Sequence, residues 1–118
     1  MDLMKFIGKI VHGAGRGKTL HAPTLNVAAV PDLAFGVYAV RASIEQKKYS
    51  AVMHWGPRPT FREDQPMVEV HLLDFEGDLY GETVEVEVGP FLREVRVFAS
   101  PDELQAQIQE DIRRAREW

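Results

Sequence analysis

The strongest constraint on the fold is a two-residue alternation of apolar and polar side chains. In residues 83–92, TVEVEVGPFL, three valines at every second position alternate with glutamates. Successive side chains of a β-strand point to opposite faces, so this pattern predicts a strand with one buried and one wet side. Four further segments also predict short strands: KFIGKIVHG (5–13), GVYAVRASI (36–44), KKYSAVMHWG (47–56) and MVEVHLLDF (67–75).

The period of the pattern changes near the C-terminus. Ser100 precedes Pro101 and is followed three residues later by Glu103, which predicts a capping box at the start of a helix. Apolar residues then recur at helical spacing and predict a stripe that packs on the sheet: Leu104, Ile108 and Ile112. A length of 118 residues fits a single domain, 1–118. The patterns together predict a small antiparallel β-barrel with one terminal helix.

Composition excludes several classes of protein. The chain has no cysteine, so it has neither a disulfide scaffold nor a cysteine-ligated zinc site. No apolar run approaches the roughly 18 residues that a transmembrane helix needs. The opening MDLMKFIGKIV is interrupted by Lys5, Gly8 and Lys9 and makes a poor signal peptide. We therefore expect a cytoplasmic protein without a membrane partner.

The net charge of -4 is unevenly distributed. Residues 1–62 carry nine Lys/Arg and three acids, whereas residues 63–118 carry five Lys/Arg and fifteen acids. No acid lies between Leu3 and Pro31, which is typical of a segment that binds an anion, although chance remains an alternative in a short chain. The overall acidity argues against nucleic acid as a partner, because that binding scales with positive contacts.

The segment GAGRGKTLHAPTLN (13–26) resembles a P-loop at Gly17-Lys18-Thr19 but fails two requirements. A P-loop needs its first glycine at position 12, which is His12, and it needs a helix to follow. Pro23 and Pro31 exclude a long helix here. What remains is a loop of three glycines around Arg16, in which backbone N–H groups can converge on phosphate oxygens.

Thr24 and Asn26 follow this loop and offer neutral oxygen ligands. Their i, i+2 spacing places both side chains on one side of an extended segment. Neutral oxygens suit Mg²⁺, which keeps several waters and shares itself with substrate phosphates. The alternative is a proline turn in which the asparagine bonds its own backbone.

These segments resemble the riboflavin kinase family. The resemblance is carried by GKIVHGAGRGKTLHAPTLNV (8–27), GVYAV (36–40), HWGPRPTF (54–61), VEVHLLDFEGDLYG (68–81) and FLREVRVFASPDELQAQIQEDIRRAR (91–116). It implies a mainly β fold, a six-stranded antiparallel Greek-key barrel with a C-terminal helix. It also implies transfer of the γ-phosphoryl of ATP to riboflavin, giving FMN. In most bacteria the family domain is half of a bifunctional FAD synthetase; here we expect it to stand alone, as a monomer.

The resemblance assigns roles by position. Thr24 and Asn26 would be associated with Mg²⁺, Glu69 would be the catalytic base, and Arg93 would lie in a flap over the flavin. The phosphate and ATP loop would consist of Gly13, Gly15, Arg16, Gly17 and Lys18. Without the resemblance, Glu69 reads as an ordinary solvated strand glutamate.

Several positions depart from the family pattern. His21 and Ala22 stand where the family has Gly-Phe, and His54 stands where it has Asn. The other departures are Ala51, Trp55 and Val95. Two hypotheses follow: an active riboflavin kinase, or a catalytically impaired module of the same fold that binds flavin or nucleotide. Trp55 is predicted to be a core or rim aromatic, and His21 with His54 make a weak metal pair because a third ligand is missing.

Overall fold

The computed structural model describes residues 4–11, 24–58, 63–74 and 81–118. They form six strands and one helix: β1 (Lys5–Val11), β2 (Thr24–Ala28), β3 (Gly36–Ile44), β4 (Lys47–Arg58), β5 (Glu63–Leu72), β6 (Thr83–Arg93) and α1 (Pro101–Arg116). The five strands expected from alternation are all present. The segment with Thr24 and Asn26 is itself a strand, so the expectation that no long helix begins there is confirmed.

The strands close into a barrel in the order β1-β2-β5-β4-β3-β6, and every neighbouring pair is antiparallel. Strands β3, β4 and β5 follow one another as neighbours, and β6 returns to lie beside β3, which is a Greek-key arrangement. The predicted six-stranded Greek-key barrel with a C-terminal helix is confirmed.

The barrel interior is filled by one set of alternating side chains. Val84, Val86 and Val88 of β6 all point inward and are buried, as the alternation with glutamate predicts. The inner residues of the other five strands complete the cluster. Trp55 is among them, only 4% exposed, and its indole Nε1 donates to the carbonyl of Leu33 at 3.0 Å. Its prediction as a core aromatic is confirmed.

Helix α1 lies on the outer wall of the barrel over β3 and β4 and covers a second apolar cluster. This cluster contains Val37, Ala39, Val52, Leu73, Leu92 and Ala115. Of the predicted stripe, Ile112 packs against it, while Leu104 and Ile108 are only half-buried. The fully buried helix residues are Ala115 and an acid, Asp111, which the apolar pattern did not predict.

Both ends of α1 are held in place. At its start Ser100 Oγ accepts from the Glu103 amide at 3.2 Å, which confirms the predicted N-cap. At its end Arg41 stacks 4.0 Å from the ring centroid of Trp118 and donates to the Trp118 carbonyl. The ring also lies over Gly89, where an added Cβ would come within 2.7 Å of it. The helix therefore has a fixed position on the barrel wall.

Within the described ranges, no helix combines the length and the apolar character needed to cross a bilayer.

Candidate active site on the outer wall of the barrel

A row of polar side chains crosses three neighbouring strands on the outer face of the barrel. Asn26 of β2 lies directly opposite Glu69 of β5, and Glu69 lies directly opposite His54 of β4. Directly opposed residues in antiparallel strands share a face, with Cβ atoms about 5 Å apart. Glu69 therefore stands between the other two. The next partner along the row is Val37, which belongs to the apolar cluster under α1.

A second, parallel row runs two residues away. Thr24 lies opposite His71, and His71 lies opposite Val52. The Thr24 hydroxyl oxygen is 3.1 Å from His71 Nδ1, a hydrogen bond between the two side chains. Burial lowers the pKa of the His71 imidazole below its ordinary value. The two rows bring the predicted metal pair and the predicted base onto one surface.

The local sequence explains why these side chains face outward. In β2, Leu25 and Val27 enter the core, so Thr24 and Asn26 take the opposite face. In β5 the buried valines at positions 68 and 70 do the same for Glu69. The sequence could supply this alternation but not the register between strands. That register sets Asn26 opposite Glu69.

Asn26 is outward-facing and yet only 6% exposed. Within the described part of the chain, its side-chain oxygen Oδ1 is buried without a hydrogen-bond partner. A buried acceptor left unsatisfied costs about 1–3 kcal/mol, and such atoms in native proteins often face an ion or a water molecule. The carbonyl oxygen is a ligand type that Mg²⁺ prefers. Asn26 therefore fits the metal that the family resemblance implies.

Arg93 at the end of β6 is engaged by the helix. Its Nε lies 3.1 Å from both carboxylate oxygens of Asp111, and its Nη2 lies 2.9 Å from Oδ2. Gln107 donates to the same carboxylate at 3.0 Å. The pair is nearly dry, with side-chain exposures of 17% for Arg93 and 3% for Asp111. The structure thus shows a structural role for Arg93, and its contact with flavin stays a prediction.

The predicted phosphate loop lies outside the described residues, as do His21 and Ala22. Its residues are Gly13, Gly15, Arg16, Gly17 and Lys18. Both flanks of the loop are described: Val11 pairs directly with Asn26, and Thr24 begins β2. The described residues on either side of positions 12–23, Val11 and Thr24, therefore both lie close to Asn26.

Of the remaining departures from the family pattern, Ala51 points into the core and is fully buried. His54 faces outward beside Glu69.

Sequence reasoning missed two residues near the site, His71 and Asp111. For His71 the signal was available, since it stands two residues after Glu69 and shares its face. For Asp111 there was none, because exposed acids are common on helices.

These features define a small Greek-key β-barrel domain with a polar site on its outer wall, beside a packed C-terminal helix. The riboflavin kinase family model matches residues 2–118, and the chain belongs to that family.

Individual relatives agree with this assignment. The chain is 38% identical over 112 residues to a bifunctional riboflavin kinase/FMN adenylyltransferase of Bacillus subtilis (strain 168), covering 88% of this chain and 35% of the relative. The chain thus spans about a third of the length of the curated relatives it matches.

Solved structures share the fold. A Streptococcus pneumoniae structure described as a macrolide-efflux protein has a TM-score of 0.86 at 35% identity, over 98% of this chain and 39% of that one. Riboflavin kinase from Trypanosoma brucei has a TM-score of 0.67 at 22% identity, over 99% of this chain and 80% of that one. Because the sequence identity to the Trypanosoma brucei structure is only 22%, this second similarity supports the assignment of the fold alone.

Proposed function

We propose that this chain transfers the γ-phosphoryl group of ATP to the 5′-hydroxyl of riboflavin, forming FMN and ADP. The observation that carries the proposal is the register that sets Asn26 opposite Glu69, with Thr24 on the same face, in a member of the riboflavin kinase family. Phosphoryl transfer depends mostly on positioning and charge neutralisation. A carboxylate, two oxygen ligands and a glycine loop supply these requirements.

Glu69 acts as the general base. Its carboxylate accepts the proton of the ribityl hydroxyl as that oxygen forms its bond to the γ-phosphorus, and the bond from the γ-phosphorus to the β,γ-bridging oxygen breaks. The proton ends on Glu69 and ADP leaves with the electron pair of the broken bond. Strand β5 pairs with a neighbouring strand on both edges and therefore holds the carboxylate rigidly, which favours this role.

Thr24 and Asn26 would hold the Mg²⁺ that accompanies ATP. When bound, the ion neutralises charge on the phosphate oxygens. In the described segments no three His, Cys, Asp or Glu side chains cluster as a metal cage. Two neutral oxygens, completed by waters and substrate phosphates, match the way Mg²⁺ is commonly held in nucleotide sites. Gly13, Gly15, Arg16, Gly17 and Lys18 would bind the phosphates themselves.

The experiment that tests this function is an assay of the intact chain with ATP, Mg²⁺ and riboflavin, with FMN and ADP separated and quantified. We expect FMN and ADP in equal amounts and neither product when riboflavin is omitted. Tight riboflavin binding with no FMN would overturn the kinase and favour a module that binds flavin without turnover.

We expect Asn26→Ala to raise the Mg²⁺ concentration needed for half-maximal FMN formation about tenfold, because the buried acceptor is lost. The measurement is a Mg²⁺ titration at saturating ATP and riboflavin. Thr83→Ala, an exposed threonine at the start of β6, serves as the control and leaves the titration unchanged. An unaltered Mg²⁺ requirement in Asn26→Ala would reject its role as a ligand.

A further inference from the structure

His71 has a place in the site that the proposed reaction does not yet use. It lies on the same outer face as Glu69 and is the direct cross-strand partner of Thr24. Its Nδ1 is 3.1 Å from the Thr24 hydroxyl oxygen, within hydrogen-bond distance. On its other side its cross-strand partner is Val52, which belongs to the apolar cluster under α1. His71 thus has a polar neighbour, Thr24, on one side and an apolar neighbour, Val52, on the other.

The chemistry of a hydroxyl ligand defines what this contact can do. When a hydroxyl oxygen binds a cation, its lone pair faces the ion and its proton must point elsewhere. That proton needs an acceptor, and a neutral imidazole has one on its unprotonated nitrogen. If Nδ1 is that nitrogen, Thr24 donates to it and keeps an oxygen lone pair for the metal.

We propose that His71 is a positioning residue that orients the Thr24 hydroxyl for Mg²⁺, with its proton on Nε2 and with Nδ1 accepting from Thr24. This inference rests on the proposed metal pair of Thr24 and Asn26. Outer partners of this kind fix the orientation of ligands, and their loss typically weakens metal binding 10–100-fold. His71 does not touch the reacting atoms and acts only through Thr24.

The first test is the tautomer of His71 in the protein without metal. The ¹⁵N resonances of the imidazole distinguish a protonated ring nitrogen from an unprotonated one. We expect Nδ1 to be unprotonated and Nε2 to carry the proton. A proton on Nδ1 would overturn the proposal, because the ring would then donate to the Thr24 oxygen and could not accept the hydroxyl proton.

The second test is a double-mutant cycle on metal affinity, with Mn²⁺ as a paramagnetic stand-in for Mg²⁺ and ADP as the nucleotide. Electron paramagnetic resonance gives the Mn²⁺ dissociation constant directly, without turnover. We expect Thr24→Val and His71→Leu each to weaken Mn²⁺ binding about tenfold. The double variant should bind about as weakly as Thr24→Val alone, because His71 acts through the hydroxyl.

His71→Asn separates orientation from folding, because its side-chain oxygen can replace Nδ1 as the acceptor. We expect it to retain near wild-type Mn²⁺ affinity, and Thr83→Val to do the same as a surface control. The proposal is refuted if His71→Leu binds Mn²⁺ as tightly as the wild type. It is also refuted if His71→Leu weakens Mn²⁺ binding by the same factor in the Thr24→Val variant as in the wild type. Unchanged affinity in Thr24→Val would refute the metal pair and this inference with it, while the FMN assay decides the kinase separately.

Discussion

Glu69→Gln lowers the turnover number for FMN formation by about 10²–10⁴-fold, the usual contribution of a general base. Glutamine keeps the size of the side chain and its place between Asn26 and His54, but it cannot accept the proton of the ribityl hydroxyl. ATP binding should change little, because the amide can still form hydrogen bonds. The measurement is steady-state FMN formation at saturating substrates, with the ATP dissociation constant determined in parallel.

Glu85→Gln is the matched control for this variant. Glu85 also alternates with buried valines and faces outward, but it lies on β6 between Ile7 and Ser43, outside the polar rows. We expect its turnover to equal that of the wild type. Normal turnover in Glu69→Gln would reject Glu69 as the general base and favour the alternative that it is an ordinary solvated strand glutamate.

The sequence alone predicted the strands well, because burial on one face enforces a two-residue period that can be read directly. The valines of β6 are the clearest case: their alternation with glutamate fixes which side chains enter the core. The N-cap at Ser100 was equally readable, since its hydrogen bond joins residues three apart. Features of this kind depend only on neighbouring residues.

The composition of the site could be predicted in part, and its geometry could not. Thr24, Asn26 and Glu69 were identified by residue type and family pattern. Their arrangement on one face depends on the pairing of β2 with β5, which lie far apart in the sequence. No local sequence pattern predicts the register of that pairing. The Thr24–His71 hydrogen bond depends on the same pairing. Asp111 was missed for a related reason, since its partner Arg93 lies on a different element.

Asp111→Ala should lower the free energy of unfolding by about 3–5 kcal/mol, because it leaves the largely buried Arg93 guanidinium without its counter-charge. The loss includes the hydrogen bond from Gln107, whose donor also loses its acceptor. We expect a clear fall in the midpoint of urea unfolding with little change in its slope. The measurement is equilibrium unfolding followed by circular dichroism.

Glu110→Gln, one position earlier on the same helix, is the control. Its carboxylate also pairs with an arginine, Arg113, but both side chains are about half exposed, so we expect a change of about 1 kcal/mol or less. Equal losses in the two variants would contradict the view that the buried pair fixes the helix.

A double variant that replaces both charged residues of this ion pair tests whether Arg93 also contacts riboflavin. Arg93→Met combined with Asp111→Leu removes both charges, and apolar replacement of a buried ion pair is often neutral for stability. We expect this double variant to recover most of the stability lost in Asp111→Ala. If Arg93 contacts riboflavin, the recovered protein will still bind riboflavin more weakly than the wild type. Recovery of both stability and riboflavin affinity would limit Arg93 to holding the helix against the barrel.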